Sequence, residues 1–256
     1  MSQSVRASAR VHRGAAKELP AAMFTLTHRV GEKPEPGDVT KFVDCLRKWA
    51  LRKFKVRRLR YVWVAELQED RAAKGDAGAV HYHVAVWLPA ELKRIGRAKA
   101  DKLRHRYARI TDACSLPKPD AKGWWKKGST ERAWVRKSVN AYLAKYLSKG
   151  AYGAMPKGLR IHGAGGFEAV QRDARAFLCL PMWLKKQVGP ADRCTRLPAG
   201  VWVYPDGRRE PGGGWVSRLT GECFRSPWRL ISFGRMVRIV RVQQCEVKAV
   251  TPSFEP

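Results

Sequence analysis

The stretch that decides the fold is Val80-His81-Tyr82-His83-Val84-Ala85-Val86-Trp87-Leu88. Its nearly continuous apolar character predicts a buried strand. Side chains alternate between the two faces of a strand, so we expect His81 and His83 on one face and Tyr82 in the core on the other. Two imidazoles side by side supply half of a divalent-metal site, although an isolated His-x-His pair also occurs as ordinary core or surface histidines.

An acidic residue interrupts the preceding strand. Residues 61–68 (YVWVAELQ) are apolar on both faces, as a central strand should be, except for Glu66. Burying a carboxylate is costly unless it is paired or binds a metal ion. The charged, glycine-containing segment 69–79 predicts a hairpin connection, so antiparallel pairing should place Glu66 beside His81 and His83. Glu66 is therefore a third candidate metal ligand, and an ion pair with an arginine is its structural alternative.

The remaining patterns predict a mixed fold. Residues 21–28 (AAMFTLTH) indicate another strand, and apolar residues at helical spacing follow Thr40, a predicted N-cap. Further helices are predicted over residues 90–110 and 167–180, and short strands after residue 200. The predicted fold is α+β, with a central antiparallel sheet of about five strands flanked by helices.

A second group of candidate residues lies on a predicted helix over residues 131–149 (ERAWVRKSVNAYLAKYLSK), which should end at Gly150. At about 100° per residue, one face of this helix carries two tyrosines and two lysines, namely Tyr142, Lys145, Tyr146 and Lys149. A tyrosine pair at this spacing usually marks the edge of a core. Two lysines on the same arc favour an anionic ligand instead.

The composition also indicates an anionic partner. Lys and Arg number 51 against 22 Asp and Glu, which gives a formal net charge of +29. This excess favours nucleic acid first and an acidic membrane surface second. No apolar run is long enough for a transmembrane helix, so we expect no membrane partner. The six cysteines contain no Cys-x-x-Cys pair, which argues against a zinc ribbon and favours reduced thiols in a cytosol.

The order of these motifs resembles that of the His-hydrophobic-His (HUH) endonucleases that initiate rolling-circle replication. Phe24-Thr25-Leu26-Thr27 resembles their first motif, His81-Tyr82-His83 their metal motif, and Tyr142-Leu-Ala-Lys145-Tyr146 their nucleophile motif in its two-tyrosine form. The chain looks most like the replication-associated proteins of single-stranded DNA phages and related plasmids, including the filamentous-phage gene II type. Each motif alone is weak, and the three in this order are specific.

The resemblance implies a metal-dependent, site-specific DNA endonuclease that also rejoins strands. Mg²⁺ or Mn²⁺ on His81, His83 and Glu66 would polarise the scissile phosphate. Tyr142 would form a covalent 5′-phosphotyrosine link, Tyr146 would serve the rejoining step, and Lys145 would position the phosphate or lower the tyrosine pKa. The sequence leaves the order in which the two tyrosines attack open. We expect further DNA contacts from Thr25, Thr27, Arg136, Lys137 and Lys149.

The same resemblance implies a cytoplasmic protein of a bacterial host cell, acting on single-stranded DNA at a phage or plasmid origin, with host helicase and polymerase as further partners. We expect residues 1–19 to form a basic, disordered arm and residues 20–150 to form the endonuclease domain. Residues 151–256 would be an extension that either forms a small lobe or completes the sheet.

Four alternatives remain open: a transposase, a relaxase, a non-catalytic nucleic-acid-binding protein and a ribonuclease, although no residue pattern selects the 2′-hydroxyl that a ribonuclease would use. A transposase of the same superfamily keeps this motif order, whereas relaxases usually carry the nucleophile before the metal motif. A non-catalytic nucleic-acid-binding protein would need only the sheet and the basic surface, and its histidines would be ordinary core residues.

Overall fold

The computed structural model of the chain describes residues 3–103, 112–136, 138–148, 155–197, 201–203, 209–211, 213–226, 228–233, 236–241 and 253–254. It divides into two compact units, Met1–Glu168 and Ala169–Pro256.

A five-stranded sheet organises the first unit. Its strands are β1 (Ala21–His28), β2 (Arg60–Leu67), β3 (Val80–Trp87), β4 (Gly128–Trp134) and β5 (His162–Gly165). Their order is β4-β1-β3-β2-β5, and every neighbouring pair is antiparallel. The helices are α1 (Gln3–Ala15), α2 (Asp38–Phe54), α3 (Glu69–Ala73), α4 (Ala90–Leu103) and α5 (Val139–Ser148), with a 3-10 turn at Asp112–Ser115. The predicted α+β fold is confirmed, and the histidine strand β3 is central.

Each face of the sheet is covered by its own core. On one face, here called the α2 face, Tyr82 lies in a cluster with Phe24, Leu26, Phe42 and Leu46 and is only 3% exposed. On the other, here called the α5 face, strand residues pack with α1 and α5; they are Met23, Val62, Val64 and Ala85, against Val5, Ala9 and Leu143. The core position predicted for Tyr82 is confirmed, and alternation along β3 puts His81 and His83 on the α5 face.

The N-terminal segment is helical, so the predicted disordered arm over residues 1–19 is wrong for residues 3–15. Val5, Ala9, His12 and Ala16 recur at helical spacing and are buried. Because most of these side chains are small, the stripe is weak in a hydropathy profile, although it packs well against the α5 face. The helix is therefore stabilised mainly by its packing against the sheet and α5.

Two predicted helix boundaries are also wrong. Residues 131–134 belong to strand β4, and the helix expected over residues 131–149 begins only at Val139. Pairing of β4 with β1 along its whole length outweighs the helical propensity of these residues. Helix α2 begins at Asp38 after Gly37, whose φ of 93° favours glycine, so Thr40 lies inside the first turn and is not the N-cap. Gly150, the predicted end of the tyrosine helix, lies outside the described residues.

The edge strand β5 completes the sheet beyond residue 150. Two of its residues, Gly163 and Gly165, pair with Trp63 and Tyr61 on β2. A Cβ atom on Gly163 would lie 2.5 Å from the Trp63 ring, and one on Gly165 would lie 2.5 Å from the Tyr61 hydroxyl. The two glycines therefore let the aromatic rings lie directly over the edge strand.

The second unit combines short helices and strands around a small core. Helices α6 (Ala169–Cys179) and α7 (Met182–Lys185) are followed by β6 (Cys194–Leu197), β7 (Val201–Val203), β8 (Arg209–Pro211), β9 (Gly214–Ser217), β10 (Cys223–Phe224), β11 (Trp228–Phe233), β12 (Met236–Arg241) and β13 (Ser253–Phe254). Its buried core comprises Leu180, Leu184, Val188 and Phe224. In the described part of the whole chain, none of the helices has the length and apolarity needed to cross a membrane.

Candidate active site

The register of the sheet gathers the first group of candidate residues. On β3, His83 is paired with Thr25 of β1 and Val64 of β2, and His81 is paired with Thr27 and Glu66. Paired residues of antiparallel strands point to the same face. The expected position of Glu66 beside both histidines is therefore confirmed. We give the name histidine patch to five polar residues of this surface: Thr25, Thr27, Glu66, His81 and His83.

Within the patch, His83 is held on both sides of its ring. Its Nε2 lies 2.7 Å from Glu66 Oε2, and its Nδ1 lies 3.3 Å from Thr25 Oγ1. The His83 side chain is 4% exposed and that of Glu66 is 12% exposed. Burial lowers the pKa of His83, although Glu66 acts in the opposite direction. A neutral ring protonated on Nε2 would donate to Glu66 and accept from the Thr25 hydroxyl, which fixes the ring orientation.

The second histidine has a different environment. The Nε2 atom of His81 is buried and has no hydrogen-bond partner among the residues that the structure describes. Burial lowers the pKa of His81 to about 4, with the charges of His83, Arg71 and His28 adding to the effect. The ring is therefore neutral near neutral pH, which is the form that binds metal ions. A buried polar atom without a partner costs free energy, and a ligand at this atom would remove that cost.

The donor chemistry of the patch fits a divalent cation. His81, His83 and Glu66 offer two imidazole nitrogens and a carboxylate, a mixed set that suits Mn²⁺ better than Mg²⁺, which prefers oxygen ligands. No group of three or more His, Cys, Asp or Glu side chains in the described parts of the chain is arranged to hold a metal ion. At the patch, the hydrogen bond between His83 and Glu66 fills the space between two of the donors. Binding of an ion would therefore have to displace that hydrogen bond.

Helix α5 brings the two tyrosines to the patch. The Tyr146 ring stacks on His83 with a centroid separation of 3.5 Å and an interplanar angle of 18°. Tyr142, one turn earlier, lies 5.2 Å from Tyr146 between ring centroids and is 38% exposed. Lys145 Nζ lies 5.8 Å from the centre of the Tyr146 ring. Burial raises the pKa of Tyr146, and a hydrogen bond between the two tyrosine side chains adds to this, so the Tyr146 phenol is protonated near neutral pH.

The residues predicted to contact DNA lie in different parts of the structure, and two of them lie outside the described residues. Thr25 and Thr27 lie in the histidine patch, where Thr25 contacts His83. Arg136 is exposed in the connection between β4 and α5. Lys137 and Lys149 lie outside the described residues.

A second acidic residue, Glu131, was missed by the sequence analysis. It lies on β4 opposite Thr25, which is itself opposite His83, so all three point to the α5 face. The charge of Glu131 acts to raise the pKa of both His83 and Tyr146. Ser129, Glu131 and Ala133 alternate with larger side chains, a pattern that is typical of a strand. The sequence analysis assigned residues 131–134 to a helix and so did not place Glu131 on the sheet.

Comparison with known protein families shows a match within the first unit. The model of a family of replication-associated proteins, described by its ORF2 and gene II protein members, matches residues 21–151. The matched region begins at β1 and includes the whole histidine patch and α5, whereas α1 and the second unit lie outside it. The chain matches no curated protein and no solved structure.

Proposed function

This chain belongs to the replication-associated protein family of the ORF2 and gene II type, and we propose that it initiates rolling-circle replication by nicking single-stranded origin DNA through a tyrosine. The observation that carries this proposal is the stacking of Tyr146 on His83, whose Nε2 is in turn hydrogen-bonded to Glu66. Tyr146, a proposed nucleophile of the rejoining step, thus contacts a candidate metal ligand that is hydrogen-bonded to an acid, and Tyr142 lies one turn away on the same helix. A purely structural tyrosine pair would not need a buried carboxylate beside it.

The proposed nicking step exchanges one ester bond for another. The tyrosine oxygen forms a bond to phosphorus, the bond from phosphorus to the 3′ oxygen breaks, and the DNA 5′ end becomes covalently linked to the protein. The phenolic proton is released to water, and the departing 3′ oxygen takes up a proton to become a hydroxyl. In the rejoining step a 3′ hydroxyl attacks the phosphotyrosine and frees the tyrosine again.

The residues around the tyrosines account for the activation that this chemistry needs. A tyrosine hydroxyl has an ordinary pKa of about 10, so it is a weak nucleophile near neutral pH. A divalent cation held by His81, His83 and Glu66 would supply Lewis-acid stabilisation of charge on the phosphate. Lys145, next to Tyr146, adds a positive charge that favours an anionic phosphate. Thr25 orients His83.

We assign the first attack to Tyr142 and the rejoining step to Tyr146. Tyr142 is 38% exposed, so a phosphate can reach it without displacing the stacked pair of Tyr146 and His83. Origin DNA is the proposed substrate, and host helicase and polymerase would act on the strand after the 3′ hydroxyl is released.

The proposal is tested by trapping the covalent intermediate. The full chain is incubated with Mn²⁺ and a random-sequence pool of single-stranded oligonucleotides, and the tyrosine that carries DNA is mapped by mass spectrometry. We expect the adduct on Tyr142. Tyr142→Phe should abolish cleavage, and Tyr146→Phe should cleave once without rejoining.

Two outcomes would change the account. Full activity of Tyr142→Phe together with an inactive Tyr146→Phe would reverse the assignment of the two tyrosines. Binding of DNA with no adduct in any metal condition would identify a non-catalytic DNA-binding protein.

A further inference from the structure

A cleft lies on the same side of the sheet as the histidine patch, between helix α1 and the start of helix α5. Its volume is about 390 Å³. Leu19, Val135 and Val139 provide apolar lining, while Arg13 and Lys17 provide positive charge. Asn140 also lines the cleft, and no described residue makes a hydrogen bond to its side-chain oxygen. The lining therefore combines apolar surface, cations and an unused polar atom.

The cleft lies at the end of a basic stripe on α1. Arg6, Arg10 and Arg13 on α1 and Lys17, two residues beyond its end, follow one another at helical spacing, and all four are exposed. Helix α1 contains no acidic residue. The positive charge is thus concentrated on the solvent side of one helix and leads into the cleft.

The opposite side of α1 is already occupied. Val5 is 3% exposed and Ala9 is 1% exposed, because both pack in the core on the α5 face. A helix that binds a membrane surface needs its apolar side free to enter the lipid. The stripe therefore fits a polyanion that contacts cations from outside, as a DNA backbone does, and does not fit lipid insertion.

The cleft and the tyrosines share helix α5. Asn140 lies on the first turn of the helix, and Tyr146 follows six residues later, which is about 9 Å along the axis. When the reacting phosphate lies at the tyrosines, the neighbouring nucleotides of the same strand would reach the cleft, because the separation along the helix axis is only about 9 Å.

We propose that this cleft and the basic stripe bind the single-stranded DNA that flanks the reacting phosphate. Arg13 and Lys17 contact the phosphates, and the apolar lining takes a base. The proposal rests on the proposed nicking function and extends it with a binding site whose cations, Arg13 and Lys17, precede the family-matched region.

Salt-dependent binding tests the charged part of the proposal. Binding of a labelled single-stranded oligonucleotide is measured by fluorescence anisotropy at several salt concentrations. Two lost phosphate contacts should lower the slope of log Kd against log salt by about 1.4 in Arg13→Gln/Lys17→Gln, since each contact on a single strand contributes about 0.7. The matched control is Lys48→Gln/Arg52→Gln, which removes the same charges at the same spacing from exposed positions on α2. The control should keep the wild-type slope.

Crosslinking tests the cleft itself. A strand containing iododeoxyuridine is irradiated on the wild-type chain, and the crosslinked peptides are identified. We expect peptides from residues 9–20 or 135–140. Crosslinks confined to α2 would overturn the proposal, as would equal slope changes in the two double variants or binding of the chain to anionic lipid vesicles that is lost only in Arg13→Gln/Lys17→Gln.

These outcomes can be separated from failure of the nicking function. If the wild-type chain forms no covalent adduct, the nicking function fails and the anisotropy comparison still reports on the cleft. If the adduct forms and the two double variants bind alike, only the cleft proposal fails.

Discussion

His81 and His83 are two residues apart on one strand face, and their surroundings differ. Both ring nitrogens of His83 have a polar neighbour, Glu66 on one side and Thr25 on the other. The buried Nε2 of His81 has no hydrogen-bond partner among the described residues. Substitution of His83 would therefore disturb a packed hydrogen-bonded group. Substitution of His81 would remove a candidate metal-binding nitrogen without breaking a described hydrogen bond to that nitrogen. His81 is accordingly the cleaner position at which to test the proposed metal site.

Glu66→Gln tests whether the carboxylate charge matters beyond its shape. Glutamine keeps the side-chain volume and can still accept a hydrogen bond from His83, but it offers a cation no negative charge. We expect Mn²⁺ affinity, measured by isothermal titration calorimetry, to fall about tenfold or more. The control is Glu69→Gln, an exposed carboxylate two residues beyond the end of β2. Equal affinities of the two variants would remove Glu66 from the site.

The hydrogen bonds of the patch illustrate what a sequence leaves open at this scale. Strand alternation was enough to place His81 and His83 on one face and Tyr82 on the other. The contact between Thr25 and His83 joins positions 58 residues apart, and it depends on the order of strands in the sheet. That order puts β1 beside β3, which no local pattern encodes.

At the scale of elements, the sequence predicted which face of helix α5 carries the candidate catalytic residues, but it did not predict the residue at which the helix begins. The spacing of Tyr142, Lys145 and Tyr146 was enough to place them together. The start of the helix depended on whether residues 128–134 paired with β1, a tertiary contact that overrides propensity. Fully buried Leu143 anchors the helix on the sheet, and burial of such a side chain contributes about 1.5–3 kcal/mol.

The edge strand β5 offers a stability test of the sheet. In Gly163→Ala the new Cβ would lie 2.5 Å from the Trp63 ring, which is 7% exposed and held in the core. We expect the free energy of unfolding, measured by urea denaturation, to fall by about 1–3 kcal/mol.

Gly14→Ala is the matched control for that substitution. Apart from its chain neighbours and the backbone of its own helix, no described residue has an atom within 4 Å of the added Cβ, and Gly14 is inside α1. The free energy of unfolding should rise by up to about 1 kcal/mol, because alanine favours helix over glycine. Loss of stability in this variant, or none in Gly163→Ala, would contradict the packing described for these two elements.

At the scale of the whole molecule, the net charge of +29 indicates a polyanionic partner. The metal site proposed at the histidine patch would act on a phosphate, which a nucleic acid supplies. The charge alone indicated a polyanion and could not locate a binding surface, because basic residues occur along most of the chain. The fold restricts the choice by placing α1 and α5 on the face that carries the patch. The order of the motifs predicted the family, because each motif lies on a strand or helix that the sheet brings to one place. Helix α1 carries no motif, so only its packing in the structure identified it.

The central claim is that His81, His83 and Glu66 support metal-dependent cleavage by a tyrosine. It is tested most directly by measuring the covalent protein–DNA adduct formed by wild type and by His81→Ala, each with Mn²⁺ and after removal of metal by a chelator. Thermal unfolding of the variant confirms that it is folded. We predict an adduct only for wild type with Mn²⁺. A wild-type rate of adduct formation in folded His81→Ala would contradict the account.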